Sequence, residues 1–217
     1  MKTLPLAQSG EALSVLCLGA HADDIEIGAG GLLLQWLASG IRLDVRWCVF
    51  SAAGIRSSEA ERSALAFLSG AVGTDVQVGR FEDGLFPQQE ATLKRWMEDL
   101  RAGSMPDVIL THRRDDAHQD HRAVSRLTWN TFRDHMILEY EIPKWDGDLG
   151  QPNAYAPFGQ EILGRKIELL MTHFGSQSSK DWFDPETFRG LARLRGMECR
   201  SPGRYAEAFT MRKASIL

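Results

Sequence analysis

Apolar positions recur along the chain in two rhythms. Apolar runs, bounded by polar or glycine-rich breaks, predict buried strands at Leu13 to Ala20 and Leu43 to Phe50, and further strands at Asp75 to Val78 and, just after Pro106, at Asp107 to Thr111. Between them lie helical segments: Gly31 to Ser39, ending at Gly40; Ser57 to Leu68, with Ala and Leu on one face and a stop near Gly70; and the polar-faced Gln89 to Arg101. Asp120 to Arg133 follows, with Ala123, Val124, Leu127 and Phe132 on or near one stripe. From Ile137 onward the rhythm loosens. Glu139 to Pro143 reads as a further strand, Trp145 to Gly159 as turns, Glu161 to His173 and Thr187 to Gly196 as helices, and Ala206 to Arg212 as a last strand.

Strands alternating with helices predict the α/β class, with a mainly parallel sheet covered by helices on both faces and ligands at the carboxyl ends of its strands. No repeat, low-complexity tract or linker interrupts the pattern, and 217 residues suit one domain, residues 1–217, able to bury a full core.

Composition narrows the classes further. The chain is 43% hydrophobic and 25% charged, as expected of a globular protein and not of a disordered or fibrous one. Lys and Arg total 25 against 29 Asp and Glu, a formal net charge of −4, and no basic cluster is large enough to track a phosphate backbone, so no nucleic-acid partner is expected. Cys17, Cys48 and Cys199 are odd in number and widely spaced, and two fall inside strand-like runs, which favours buried free thiols in a reducing cytoplasm. Met1 to Gly10 lacks the pattern of a secretory signal, and no run approaches the ~20 apolar residues of a membrane span. A soluble, cytoplasmic protein is the expectation.

Two polar clusters sit where an open sheet builds its site. The first, Ala20-His21-Ala22-Asp23-Asp24-Ile25-Glu26-Ile27-Gly28-Ala29-Gly30-Gly31, follows the first strand. His21 and Asp24 offer one nitrogen and one oxygen ligand, and Asp23 adds a carboxylate left free for proton transfer. A phosphate-cradling loop competes as a reading, but Gly28, Gly30 and Gly31 miss the G-x-G-x-x-G spacing, and two carboxylates beside the turn would repel a pyrophosphate. The second cluster, Asp115-Asp116-Ala117-His118-Gln119-Asp120-His121, follows the strand ending at Thr111. Taken singly, a histidine at a helix start or an isolated His-x-x-Asp is more often a capping or solvated group. Two such clusters on one rim reverse that balance. His21, Asp24 and one of His118 or His121 meet the need of a catalytic zinc for three ligands and an open position. Asp120 and His118 stand two apart and would face each other only in a turn.

These blocks resemble the paired signatures of the PIG-L/LmbE-like zinc-dependent N-deacetylases, a PDD-type motif early in the chain and an H-x-D-H motif near the middle. Further similarity lies in Arg56-Ser57-Ser58-Glu59-Ala60, in Asp83-Gly84, in His173 followed by Ser176-Gln177, and in Tyr205-Ala206-Glu207-Ala208-Phe209, so it spans nearly the whole chain. The resemblance implies a Rossmann-like three-layer α/β sandwich and a bound Zn²⁺, with Fe²⁺ as the other candidate. It assigns metal ligation to His21, Asp24 and His121, the general base to Asp23, carbonyl polarisation and help to the leaving amine to His118, orientation of His118 to Asp120, and sugar contact to Arg56 and Asp83. Ala22 replaces the usual proline, a change in turn stiffness. Ile25 stands where many relatives carry glutamate, with Glu26 next to it.

The substrate so implied is an N-acetylated amino sugar, free or conjugated, cleaved to acetate and a free amine. Trp145, Tyr155, Phe158 and Trp182, in the loop-rich second half, could stack on a sugar ring or simply fill the core, and the same half could supply a homo-oligomer interface. Two readings from other classes compete. One is a sugar-recognition protein, with or without metal, that has no turnover. The other is a two-metal phosphatase, for which Asp115 and Asp116 are the only spare carboxylates.

Overall fold

The computed structural model describes residues 3–103 and 105–215. Seven strands form one sheet in the order β3-β2-β1-β4-β5-β7-β6. They are β1 (Ala12–His21), β2 (Arg42–Ser51), β3 (Gly73–Val78), β4 (Val108–His112), β5 (Met136–Tyr140), β6 (Ala154–Phe158) and β7 (Tyr205–Met211). The first five pair in parallel, with Val15 opposite both Val45 and Val108, while β7 runs antiparallel to β5 and to β6. This is the mainly parallel α/β sandwich expected, closed at one side by an antiparallel pair.

Six helices cover the two faces: α1 (Asp24–Ala38), α2 (Ile55–Phe67), α3 (Glu90–Ala102), α4 (Gln119–Thr131), α5 (Gln160–His173) and α6 (Pro185–Glu198). Alternate residues of β1 point into opposite layers. Val15 and Cys17 join Val45, Trp47 and side chains of α1, α2, α5 and α6, whereas Leu16 and Leu18 join Phe50, Met97, Val124 and Leu127 of the α3 and α4 side. Burial on both faces is why the strand reads as a continuous apolar run. Cys17, Cys48 and Cys199 are buried free thiols. Among the described residues no helix is long and apolar enough to cross a membrane.

The glycine-rich segment departs from expectation. The helix predicted to begin at Gly31 begins at Asp24, so the glycines lie inside α1 and form no turn. They serve close packing. A Cβ on Gly28 would stand 2.2 Å from Tyr140 Cδ2, and one on Gly31 2.6 Å from Phe158 Cε1. A buried ion pair secures the same stretch of helix. Glu207 on β7 accepts the Gly31 and Leu32 N–H groups, each at 2.7 Å, while Lys166 on α5 donates at 2.6 Å both to Glu207 and to the Ile27 carbonyl.

Two other differences have simple causes. The strand expected at Glu139 to Pro143 lies at Met136–Tyr140, because the apolar run is longer than the strand and pairing with Val108–His112 selects its first part. The segment expected to be turns contains β6, an edge strand of half-buried residues that carries Pro157, and both features weaken the strand signal.

Candidate metal and catalytic site

From β1 the chain winds outward through β2 and β3, then returns past β1 to lay down β4 and β5 on its other side. Connections leave in opposite directions at this point, which opens a crevice beyond the carboxyl ends of β1 and β4. His21 ends β1, and Asp23 and Asp24 start α1. His112 ends β4, and His118, Asp120 and His121 start α4. The two polar clusters therefore meet across the crevice.

Three donors converge there. His21 Nδ1 lies 3.2 Å from His121 Nε2 and 3.4 Å from Asp24 Oδ2, and His121 Nε2 lies 3.5 Å from Asp24 Oδ1. Ligands held ~2.0–2.1 Å from one tetrahedral ion stand ~3.3–3.4 Å apart; the three side chains lie at about that reach of one another, with Asp24 facing His21 through Oδ2, which also accepts the His21 N–H at 2.6 Å, and His121 through Oδ1. Two imidazoles and a carboxylate serve zinc and iron(II) alike, so the donor set fits the group without selecting the element. His118 also groups with His21 and His121, and His112 with Asp24 and His121. Their lone pairs are committed elsewhere: His118 Nδ1 accepts the Asp120 N–H at 3.2 Å, and His112 Nε2 accepts the Ala20 N–H at 2.9 Å.

Carboxylates hold the outer nitrogens of the two rings. His21 Nε2 lies 3.0 Å from Asp83 Oδ1 and 3.3 Å from Asp120 Oδ2. His121 Nδ1 is 3.1 Å from Asp116 Oδ2, although not aligned as a hydrogen bond. Asp116 is braced in turn by Lys144 at 3.1 Å and by the His118 N–H at 2.8 Å. Such partners orient metal-binding imidazoles. They also set the charges. Burial opposes protonation of His21, but Asp120, Asp24 and Asp83 outweigh it and raise its pKa well above the usual value. The hydrogen bond from His21 pulls Asp83 down to about 2. Burial would raise Asp24 and Asp116, yet the facing histidines hold both well below the ordinary carboxylate range.

The implied role of Asp120 needs correction. Its buried carboxylate faces His21 and accepts the Gly84 and Phe86 N–H groups at 2.7 and 3.1 Å, and only its main-chain N–H reaches His118. At the first turn of a helix the side chains of residues 118 and 120 diverge, so the carboxylate cannot turn back on the ring. Arg56 donates to Asp23 Oδ1 at 2.8 Å, its side chain 25% exposed. Asp83 is 70% exposed in its side chain and faces His21.

Two groups remain for proton transfer. Asp23 Oδ2 is buried without a hydrogen-bond partner among the described residues, and burial raises its pKa against the opposing pull of Arg56. His118 caps α4, and burial followed by the nearby His121 and His21 lowers its pKa. Because His118 Nδ1 accepts a main-chain N–H, the neutral ring carries its proton on Nε2.

Several expected or overlooked groups find their places. Asp115 is exposed and pairs with Arg113, and Asp116 stands behind His121, so neither bridges toward a second ion. Glu26 is fully buried, and burial, against the opposing pull of Ser63, pushes its carboxyl pKa well up. Phe158 packs in the core, Tyr155 reaches Glu198, and exposed Trp145 packs edge-on against Trp182 with ring centroids 6.3 Å apart. The sequence pattern assigned no role to His112 or Lys144. His112 stacks on His121 at 3.9 Å, and its place at a strand's carboxyl end was the available signal.

The sequence model of a family described as PIG-L, GlcNAc-PI de-N-acetylase, matches residues 16–132. The uncharacterized deacetylase YaiS of Escherichia coli (strain K12) is 28% identical over 180 residues, 77% of this chain and 94% of that protein. N,N'-diacetylchitobiose deacetylase from Pyrococcus horikoshii shares the fold with a TM-score of 0.68 at 19% identity, covering 91% of this chain and 83% of its own. GalB, the 4-carboxy-2-hydroxymuconate hydratase of Pseudomonas putida KT2440, shares it with a TM-score of 0.74 at 17% identity, covering 94% and 98%. One fold thus carries both deacetylation and hydration, and the choice between them rests on the site.

Proposed function

The chain belongs to the PIG-L family of de-N-acetylases, and from that premise we propose that it is a metal-dependent hydrolase that removes the acetyl group from an N-acetylated amino sugar or its conjugate. The observation that carries this reading is the convergence of His21, Asp24 and His121 beside an unpaired buried carboxylate oxygen of Asp23. A divalent ion, zinc or iron(II), held by those three side chains would supply Lewis acidity to the amide carbonyl and lower the pKa of water.

The chain's own groups divide the remaining work. Asp23 Oδ2 takes the proton of the attacking water, while Arg56 holds the other oxygen, Oδ1. His118 donates from Nε2 to the oxygen on which negative charge grows, and the Asp120 N–H on Nδ1 fixes that tautomer. Expulsion of the amine then needs the proton held by Asp23 or one relayed through His118. Asp120 and Asp83 orient His21, and Asp116 with Lys144 steadies His121.

A single ion is preferred over a phosphatase-type pair because Asp115 and Asp116 are committed to Arg113, His121 and Lys144. The complete set of base, ligands and donor favours turnover over mere sugar recognition. Three buried free thiols suit a reducing cytoplasm, and one continuous sheet supports one catalytic unit per chain.

The test is acetate release from a panel of N-acetylhexosamines and their conjugates by metal-loaded protein, with a chelated control and a count of ions per chain. Acetate release that stops on chelation, with one ion per chain, supports the reading. Two ions, or addition of water to an enol acid with no acetate from any amide, would overturn it.

A further inference from the structure

His112 ends β4, is fully buried, and is an imidazole beside the crevice that the proposed chemistry leaves idle. Its nitrogens group with the donors of Asp24 and His121, as those of a fourth ligand would. The ring geometry argues against ligation. His112 and His121 stack with centroids 3.9 Å apart and planes 17° from parallel. An imidazole accepts through a lone pair in the plane of its ring, so two stacked rings direct their lone pairs side by side and not at one ion.

Instead the ring meets every part of the ligand set. Its face lies on His121. Its Nε2 accepts the N–H of Ala20, the residue before His21 on β1, at 2.9 Å, and the same nitrogen lies 3.2 Å from Asp24 Oδ2. Tyr140 packs edge-on against the ring with centroids 4.9 Å apart, and its hydroxyl, donating to the Leu18 carbonyl at 2.7 Å, stands 3.3 Å from Nε2. His112 is thus fixed on a face and at one nitrogen. Filling space would not require an imidazole here. Its Nδ1 is buried with no hydrogen-bond partner among the described residues, a cost that a phenyl ring of similar size would not carry.

Resting on the metal site of the hydrolase reading, we propose that His112 is a positioning residue that locks the two halves of the ligand set together. The face of its ring sets the plane of His121 on α4, and its Nε2 fixes the end of β1 that carries His21. Both contacts are needed, because β1 and α4 bring their ligands from distant parts of the chain and β4 pairs with the first and leads into the second. Partners that orient metal-binding side chains in this way govern affinity for the ion.

The test reads the bound ion and not turnover. Zn²⁺ affinity is measured by competition with a chelator, and the visible absorption of bound Co²⁺ reports the geometry of its ligands, in wild type, His112→Phe and His112→Gln. The phenyl ring keeps the stack and loses the nitrogen, whereas the glutamine amide keeps an acceptor for Ala20 and loses the stack. Each variant should bind Zn²⁺ ~10–100-fold more weakly and shift the Co²⁺ spectrum. Thermal unfolding of the metal-free proteins is followed alongside, because a ring that only fills space would change the midpoint and leave both ion readouts as in wild type. Wild-type affinity and spectrum in either variant would overturn the proposal, and if one variant does not fold the other decides. A wild type that takes up no ion would overturn the metal reading and this role with it. Acetate release by a wild type whose variants bind the ion unchanged would overturn the role of His112 alone.

Discussion

Asp23→Asn changes the chemistry of one atom in the crevice and little else. The side chains have nearly the same shape, so the atom that Arg56 contacts at 2.8 Å remains an acceptor, while the unpaired Oδ2 becomes an amide nitrogen that donates and cannot take a proton. Loss of a general base typically costs ~10²–10⁴ in rate, or ~3–5 kcal/mol in the barrier. The fold should hardly notice. Asp23 is 4% exposed and burial raises its pKa, so removing the charge at neutral pH relieves a desolvation cost. Against that, the ion pair with Arg56 is lost, although that side chain is 25% exposed and keeps the Oδ1 acceptor. These terms oppose each other, and the melting midpoint should move by no more than ~4 °C. Acetate release, metal content and thermal unfolding, measured on one preparation, separate the possibilities. Turnover at the wild-type rate would refute Asp23 as the base, and loss of the ion would make it a ligand.

Three further changes probe the scaffold around the site. Asp116→Asn should weaken metal binding by ~10–100-fold, read from competition with a chelator. In metal-free protein it should also flatten the acid limb of the stability curve. A carboxyl held below its unfolded pKa of ~3.9 stabilises above that pH, and the contribution is lost as pH falls toward the folded value. The variant should therefore start less stable at pH 7 and lose less below about pH 4; a parallel pair of curves would refute this. Glu207→Ala leaves the Lys166 charge buried without its carboxylate and removes the side-chain acceptor of two N–H groups of α1, a cost of ~3–5 kcal/mol by denaturant titration. Gly28→Ala sets a helix-propensity gain of ~1 kcal/mol against a Cβ 2.2 Å from a Tyr140 ring pinned by its 2.7 Å bond to the Leu18 carbonyl. Overpacking of ~1–3 kcal/mol should win, and a stabilised variant would contradict the packing argument.

Much of the architecture was legible before any coordinates. A strand such as Leu13 to Ala20 is apolar on both faces for most of its length, and only a sheet covered on both sides buries such a run. The site's chemistry was legible for a similar reason: imidazoles and carboxylates clustered just beyond strand ends have few structural uses in combination. The glycines of α1 misled, because a residue chosen to let Tyr140 and Phe158 approach a helix looks the same in one dimension as a residue chosen for a turn. Likewise β6, short and carrying Pro157, has its partner β7 roughly fifty residues away, and nothing local marks it as a strand.

The sequence by itself determined the class of the fold, the rim on which chemistry is found and the kinds of ligand available, since these follow from local pattern and side-chain type. Tertiary structure alone decided which atoms meet. Bringing His21 within 3.2 Å of His121 depends on the chain crossing back past β1 to form β4. The turn of Asp120 toward His21 and the pairing of Arg56 with Asp23 depend equally on segments distant in sequence. A side chain's type travels with the chain, but its partner, and hence its charge and tautomer, is chosen by whatever packing brings to it.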